Sequence, residues 1–73
     1  MSSSARAVLK VVRELMRDPH PAVWVSLAEG RVMVSIVEPK IAMPTVQVDR
    51  TMLEPAGEGA LLDTLAQLID PRP

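Results

Sequence analysis

Alternating valines on either side of Glu29-Gly30 restrict the fold of this chain more than any other feature of its sequence. Segments 22–28 and 31–37 are rich in Val and Ile, and in both of them apolar residues recur at every second position. Such alternation is typical of half-buried strands, and a two-residue turn that contains Gly favours a tight hairpin. The apolar positions face each other when Ala28 is paired with Arg31, so the sequence predicts a hairpin in that register.

The predicted register sorts the strand residues onto two faces of a sheet. A third strand is expected at about 45–50, after a connection framed by Pro39 and Pro44. One face is then wholly aliphatic and should be buried. Its members are Val23, Val25, Leu27, Val32, Val34, Ile36, Val46 and Val48.

Two amphipathic helices, predicted at about 4–17 and 58–69, supply the cover that the aliphatic face needs. In each segment apolar residues recur at steps of three and four, the period of a helix with one apolar side. Pro19 and Pro71 end the helices because proline disfavours helical geometry in the residue before it. The whole chain, 1–73, is therefore predicted to be one small α+β domain. Its elements follow the order α-β-β-β-α, with a three-stranded antiparallel meander sheet packed against both helices.

The composition limits how such a domain can be stabilised. The 73 residues include no Cys, no Phe, no Tyr and a single His. Disulfide bonds are therefore excluded, and no metal site and no cofactor are expected. A single core in so short a chain rarely supplies more than about 3–5 kcal/mol of net stability. Association with a second copy is the remaining source of stability, so the sequence favours a homodimer.

Charge and hydropathy bear on the location of the chain. The net charge is −1, which gives no general attraction to nucleic acid or to anionic membranes. No apolar run approaches the roughly 20 residues that span a bilayer. None follows the basic residues near the start, so we expect no membrane contact and no signal peptide. Together with the absence of Cys, these features favour the cytoplasm.

Trp24 is the only aromatic residue, and the predicted register points it away from the aliphatic face. Met33 and Val37 share its face, and Ile41 and Met43 of the connection are near enough in sequence to extend the apolar patch. Because a solvent-facing sheet surface is usually polar, we interpret these five residues as a partner-binding surface. The alternative is that one helix lies on each side of the sheet, which would make Trp24 an ordinary core residue.

A row of basic residues on the first predicted helix supports a different function. Four cationic side chains follow steps of four, three and four, so they share one face of the helix and could contact phosphates. They are Arg6, Lys10, Arg13 and Arg17. A solvated polar face would show the same pattern. The order of elements is similar to that of double-stranded RNA-binding domains, but those have a basic start to the last helix, whereas segment 58–63 is acidic.

An enzyme has little support in the sequence. His20 is the only side chain that titrates near neutral pH without help, and no nucleophile with a recognisable local pattern accompanies it. We therefore expect a non-enzymatic protein–protein interaction module, such as a regulator, inhibitor, adaptor or assembly subunit. It would self-associate and contact its partner through the Trp24 face. The alternative is a nucleic-acid-binding domain that uses the basic row.

Overall fold

The computed structural model describes residues 3–18 and 22–70, and these form six elements. The elements are helix α1 (Ser3–Leu15), strands β1 (Ala22–Ala28), β2 (Arg31–Ser35) and β3 (Thr45–Asp49), a 3₁₀ helix (Arg50–Leu53) and helix α2 (Pro55–Ile69). The α-β-β-β-α order and the antiparallel three-stranded sheet confirm the predicted fold class. Within the described part of the chain, neither helix is long and apolar enough to cross a membrane.

The β1–β2 hairpin has the register that the alternating pattern predicts. Ala28 pairs with Arg31, across a turn whose two residues have positive φ angles, 53° at Glu29 and 74° at Gly30. Two left-handed residues are the mark of a type I′ turn, whose twist matches that of the flanking strands. Gly30 adopts this conformation at little cost, whereas Glu29 is held in it by the hairpin.

The strands lie in the order β2-β1-β3, so the predicted meander order is wrong, although the antiparallel pairing is as expected. In a meander β3 would pair with β2. Here β3 pairs with β1, with Val48 opposite Val23 and Val46 opposite Val25. The two valines of β1 are fully buried. As the middle strand of the sheet, β1 pairs with a neighbour along both of its edges. The connection 36–44 is long enough to reach either neighbour, so its length does not distinguish the two orders.

Both helices pack on the same face of the sheet, the one that carries Val23 and Val25. Helix α1 lies over β2, and α2 lies over β1 and β3. One hydrophobic core joins the helices to the sheet. Its buried members are Ala5, Leu9, Val12 and Met16 from α1 and the turn after it, Val23, Val25 and Val48 from the sheet, and Leu61 and Leu65 from α2. The alternative with one helix on each side of the sheet is therefore wrong.

The strand order forces the connection 36–44 to cross over β1. Both β2 and β3 are antiparallel to β1, so they run parallel to each other on its two sides. The connection leaves β2 beside Trp24 and ends beside Leu27, whose amide donates to the carbonyl of Pro44 at 3.0 Å. Because the helices occupy the valine face, the connection crosses the Trp24 face. A crossing on that side is right-handed, as nearly all connections between parallel strands are.

Several element ends differ from the predicted bounds. Helix α1 spans Ser3–Leu15 rather than 4–17, and the Arg17 amide donates to the Glu14 carbonyl (3.3 Å) in a turn after the helix. Helix α2 begins three residues early, at Pro55, because proline suits the first position of a helix, where its missing N–H would have no acceptor. Strand β2 ends at Ser35, whose hydroxyl accepts from the Val37 amide (3.0 Å) and turns the chain. Strand β3 ends at Asp49, whose carboxylate accepts from the Met52 amide (3.2 Å) and caps the 3₁₀ helix.

Candidate protein-binding surface

Trp24 lies in the middle of the sheet, on the face that the helices leave open. Its neighbours across the two ladders are Ser35 on β2 and Gln47 on β3. The residue is half-buried, and it is not a member of the core that the helices cover. Trp24 therefore points away from the valines, as the alternating pattern predicts.

The crossing connection covers part of this face. Ser26 is only 2% exposed, although α1 and α2 pack on the other face of the sheet. Hydrogen bonds tie the end of the connection to it. The Thr45 hydroxyl donates to the Met43 carbonyl at 2.9 Å, so Ser26 Oγ is the donor in its 3.1 Å contact with Thr45 Oγ1. The Trp24 face is therefore a sheet surface with a segment of its own chain lying across it.

The outer side of this region is apolar. Met33 is 51% exposed, Val37 63% and Ile41 73%. Together with Ile36 they make up four of the six exposed large hydrophobic residues within 3–18 and 22–70, and the other two lie on α1 and the 3₁₀ helix. Single exposed apolar side chains are common on proteins, whereas large contiguous apolar patches often mark interaction sites.

We define the crossover surface as five residues: Trp24, Met33, Val37, Ile41 and Met43. The structure places Met33 on the same face of the sheet as Trp24. The other three lie on the connection that crosses this face. Trp24 and Met43 are half-buried, and the remaining three are exposed. The surface thus includes both half-buried and exposed residues.

Ile36 belongs to the exposed cluster, but the alternating pattern assigned it to the buried face with Val32 and Val34. The strand ends before Ile36 because Ser35 Oγ donates to the Val37 carbonyl at 2.9 Å and closes a turn. Ser35 was the signal available in the sequence, since serine hydroxyls compete with strand pairing by bonding to nearby backbone.

The basic row on α1 is only partly available for a ligand. Arg13 donates to the Leu53 carbonyl (3.2 Å) and to the Glu58 carboxylate (2.5 Å), which joins α1 to the 3₁₀ helix and to α2. The other three members of the row are exposed. A phosphate would have to compete with Glu58 for the guanidinium of Arg13. The pairing of Arg13 with Glu58 therefore weighs against phosphate binding by the whole row.

A groove with a volume of about 280 Å³ lies between β3, the 3₁₀ helix and α2. Its lining is mainly apolar and consists of Val46, Thr51, Met52, Gly57, Ala60, Leu61 and Thr64. Ligand pockets usually measure about 300–1,000 Å³ and hold a few well-placed polar groups. None of these seven described residues has a titratable side chain.

Among the described residues, Asp49 is a titratable residue whose pKa the fold shifts. Hydrogen bonds from the Thr51 hydroxyl (2.6 Å) and the Met52 amide lower the pKa of Asp49, whose role is to cap the 3₁₀ helix. Residues 3–18 and 22–70 hold no group of three or more side chains able to bind a metal ion. His20, the candidate for acid–base chemistry, lies outside the described residues.

The crossover surface combines the single Trp of the chain with three of the exposed large hydrophobic residues of the described part. Comparison of the chain with protein-family models, with curated proteins and with solved structures finds no match. Its function is therefore inferred from the exposure and chemistry of the residues on this surface.

Proposed function

We propose that this chain is a small non-enzymatic protein–protein interaction module that binds its partner through the crossover surface. The observation that carries the proposal is the exposure of Met33, Val37 and Ile41 around the half-buried Trp24. The buried centres of protein interfaces are enriched in Trp and Met and contain few charged residues. A Trp near such a centre contributes much of the binding energy once the partner excludes water from it.

The shape of the surface favours a protein partner over a small molecule. Its exposed side chains belong to a sheet and to a segment lying across that sheet, whereas small ligands usually occupy an enclosed cavity. Pro39 and Pro44 frame the segment that carries Ile41. Proline restricts the backbone, so less conformational entropy is lost when a partner orders this segment.

A protein of this kind acts by occupying a surface of a larger molecule, as a regulator, inhibitor, adaptor or assembly subunit does. Self-association is part of the proposal, because a 73-residue chain with one small core gains stability from a second copy. The proposed setting is the cytoplasm, which suits a chain without Cys.

The proposal is tested by placing charges on the crossover surface without changing the core. The double variant Val37→Asp/Ile41→Asp does so, and Met52→Asp is the control because Met52 is also exposed but lies on the 3₁₀ helix. Affinity capture with quantitative mass spectrometry should identify proteins held by the wild type and the control but lost by the double variant. With the purified partner, the dissociation constant of the double variant should rise by about tenfold or more.

Equal capture by the wild type and the double variant would contradict the proposal. Trp24→Ala gives a second check, since the variant should bind more weakly while it keeps a cooperative unfolding transition. Loss of folding would instead assign Trp24 to the core. A salt-dependent complex with RNA or DNA that disappears when all four residues of the basic row become Ala would favour the nucleic-acid alternative.

A further inference from the structure

Strand β2 lies at one edge of the sheet. Its pairing with β1 determines which of its backbone N–H and C=O groups point toward β1 and which point outward. The Leu27 amide donates toward β3, and backbone direction alternates along a strand. Ser26 therefore bonds toward β2, through its partner Met33. The backbone groups of Met33 point inward to the ladder, and those of Val32 and Val34 point outward at the edge.

We propose that this edge pairs with the same edge of a second copy, antiparallel and around a two-fold axis at Met33. This register aligns Val32 with Val34 of the second copy, and Val34 with its Val32. Because the backbone groups of both valines point outward, each N–H finds a carbonyl and each carbonyl finds an N–H. The two three-stranded sheets then form one continuous sheet.

The β2 edge is self-complementary, and for this reason we propose a second copy of the chain as its binding partner. An isologous contact needs a strand that presents the same groups after a two-fold rotation. Val32-Met33-Val34 does so in residue type as well as in hydrogen-bond direction. In this register Arg31 lies opposite Ser35, so the pairing brings no like charges together.

Strand β2 lacks the features that usually keep edge strands apart. Natural edges are protected by charges, prolines or bulges within the strand. The pairing of β2 with β1 is regular from Arg31 to Ser35, and the one charged residue of β2 stands at its first position. The other edge strand, β3, follows Pro44, has Gln47 at its centre and ends in Asp49. The unprotected edge is therefore that of β2.

The flank of α1 above this edge is apolar as well. Arg13 contacts Glu58, so its side of α1 faces α2. At about 100° per residue, Val8, Val11 and Leu15 lie on the opposite flank. Since α1 lies over β2 and α2 over β1 and β3, that flank is on the side of the β2 edge. Val8 and Leu15 are half-buried against the core, whereas Val11 is 44% exposed. A second copy at the β2 edge would bury this stripe against its counterpart.

Pairing at β2 specifies the self-association in the proposed function and rests on it. The valine layer would continue from one copy into the next, because Val32 and Val34 already pack against the core. On the opposite face each Met33 would meet its counterpart at the axis. Trp24 and the connection residues of the crossover surface would remain uncovered. One dimer would therefore present this part of the surface, without Met33, twice on the same side of the joined sheet.

Met33 offers the sharpest test because it is exposed and lies on the proposed axis. Met33→Glu would set two carboxylates against each other in a homodimer, and Met33→Lys would set two ammonium groups against each other. A mixture of the two variants would place one opposite the other. Sedimentation equilibrium should show a wild-type dimer, a dissociation constant raised by about tenfold or more in each variant alone, and recovery in the mixture. Gln47→Lys, on the β3 side of the same face, is the control that should leave the dimer unchanged.

Amide hydrogen exchange gives an independent readout at the edge. The amides of Val32 and Val34 should exchange rapidly in dilute solution and become protected as the dimer forms, whereas the Met33 amide is protected at every concentration. A wild-type chain that stays monomeric at millimolar concentration would overturn edge pairing and leave partner binding by the crossover surface untouched. A dimer that tolerates both Met33 charges would also overturn it, while leaving self-association through another surface in place.

Discussion

Arg13 on α1 contacts Glu58 on α2 across 45 positions of the sequence, with 2.5 Å between Nη2 and Oε2. The same guanidinium donates through Nη1 to the carbonyl of Leu53 at 3.2 Å. One side chain of the basic row thus holds α1 to the segment that leads into α2. The two charged side chains are 41% and 42% exposed, so water and salt screen their attraction.

The Arg13–Glu58 pair should therefore contribute little to stability by charge alone. In a double-mutant cycle with Arg13→Gln and Glu58→Gln, we expect a coupling energy of about 0.2–1 kcal/mol that shrinks as salt is added. Urea denaturation of the four proteins at low and high salt measures it. A larger coupling that salt does not change would contradict this expectation and indicate a desolvated pair.

Two glycines of α2 should respond differently to replacement by Ala. A Cβ atom at Gly59 would meet nothing within 4 Å, whereas one at Gly57 would lie 3.1 Å from the carbonyl oxygen of Met52. Gly59→Ala should raise the free energy of unfolding by roughly 0.5–1 kcal/mol, since Ala is the better helix former. Gly57→Ala should be neutral or destabilising because the close contact offsets that gain. Equal stabilisation by both variants would mean that the Met52 segment moves aside freely.

The hairpin turn should be improved by a residue that accepts a left-handed conformation. Glu29 has a φ of 53°, and Asn tolerates this region better than Glu. Glu29→Asn should raise the free energy of unfolding by up to about 1 kcal/mol. Gly30→Ala should lower it by a similar amount, because φ is 74° there. Thermal unfolding of both variants provides the measurement, and a Glu29→Asn variant that is less stable than the wild type would refute the prediction.

Acid should weaken the cap of the 3₁₀ helix. Hydrogen bonds from Thr51 and Met52 lower the pKa of Asp49 in the folded protein. A lowered pKa stabilises the fold above the unfolded value of about 3.9, and this contribution is lost as the pH falls through the folded value. Asp49→Asn keeps a capping side chain without the charge, so its stability should change less between neutral pH and about pH 3. Parallel loss of stability in both proteins would assign the acid sensitivity to other carboxylates.

The hairpin register was predictable because two requirements agree. A two-residue turn fixes which residues pair, and only that pairing gathers the valines on one face. The position of β3 was not predictable from the same reasoning. Val46 and Val48 belong to the buried face whichever neighbour their strand joins, and the connection 36–44 is long enough for both arrangements.

The candidate site was predictable in its residues and less so in its form. The alternating pattern placed Trp24 and Met33 on one face, as the structure does. Nearness in sequence predicts that Ile41 and Met43 extend the patch, but the crossing that brings them onto this face depends on the strand order. Ile36 was assigned to the buried face because local alternation does not show where a strand ends, and a serine turn ended this one.

The central position of β1 has a consequence for the order in which the chain folds. Both ladders of the sheet include β1, but the hairpin closes over a two-residue turn, whereas pairs such as Ala22 with Asp49 join distant parts of the chain. Because closing a long loop costs more entropy, we expect the hairpin to form first and β3 to dock afterwards. The connection 36–44, which crosses the Trp24 face, would then reach its final position only when β3 docks. The proposed binding of a partner and the final step of folding would therefore depend on the same segment, 36–44.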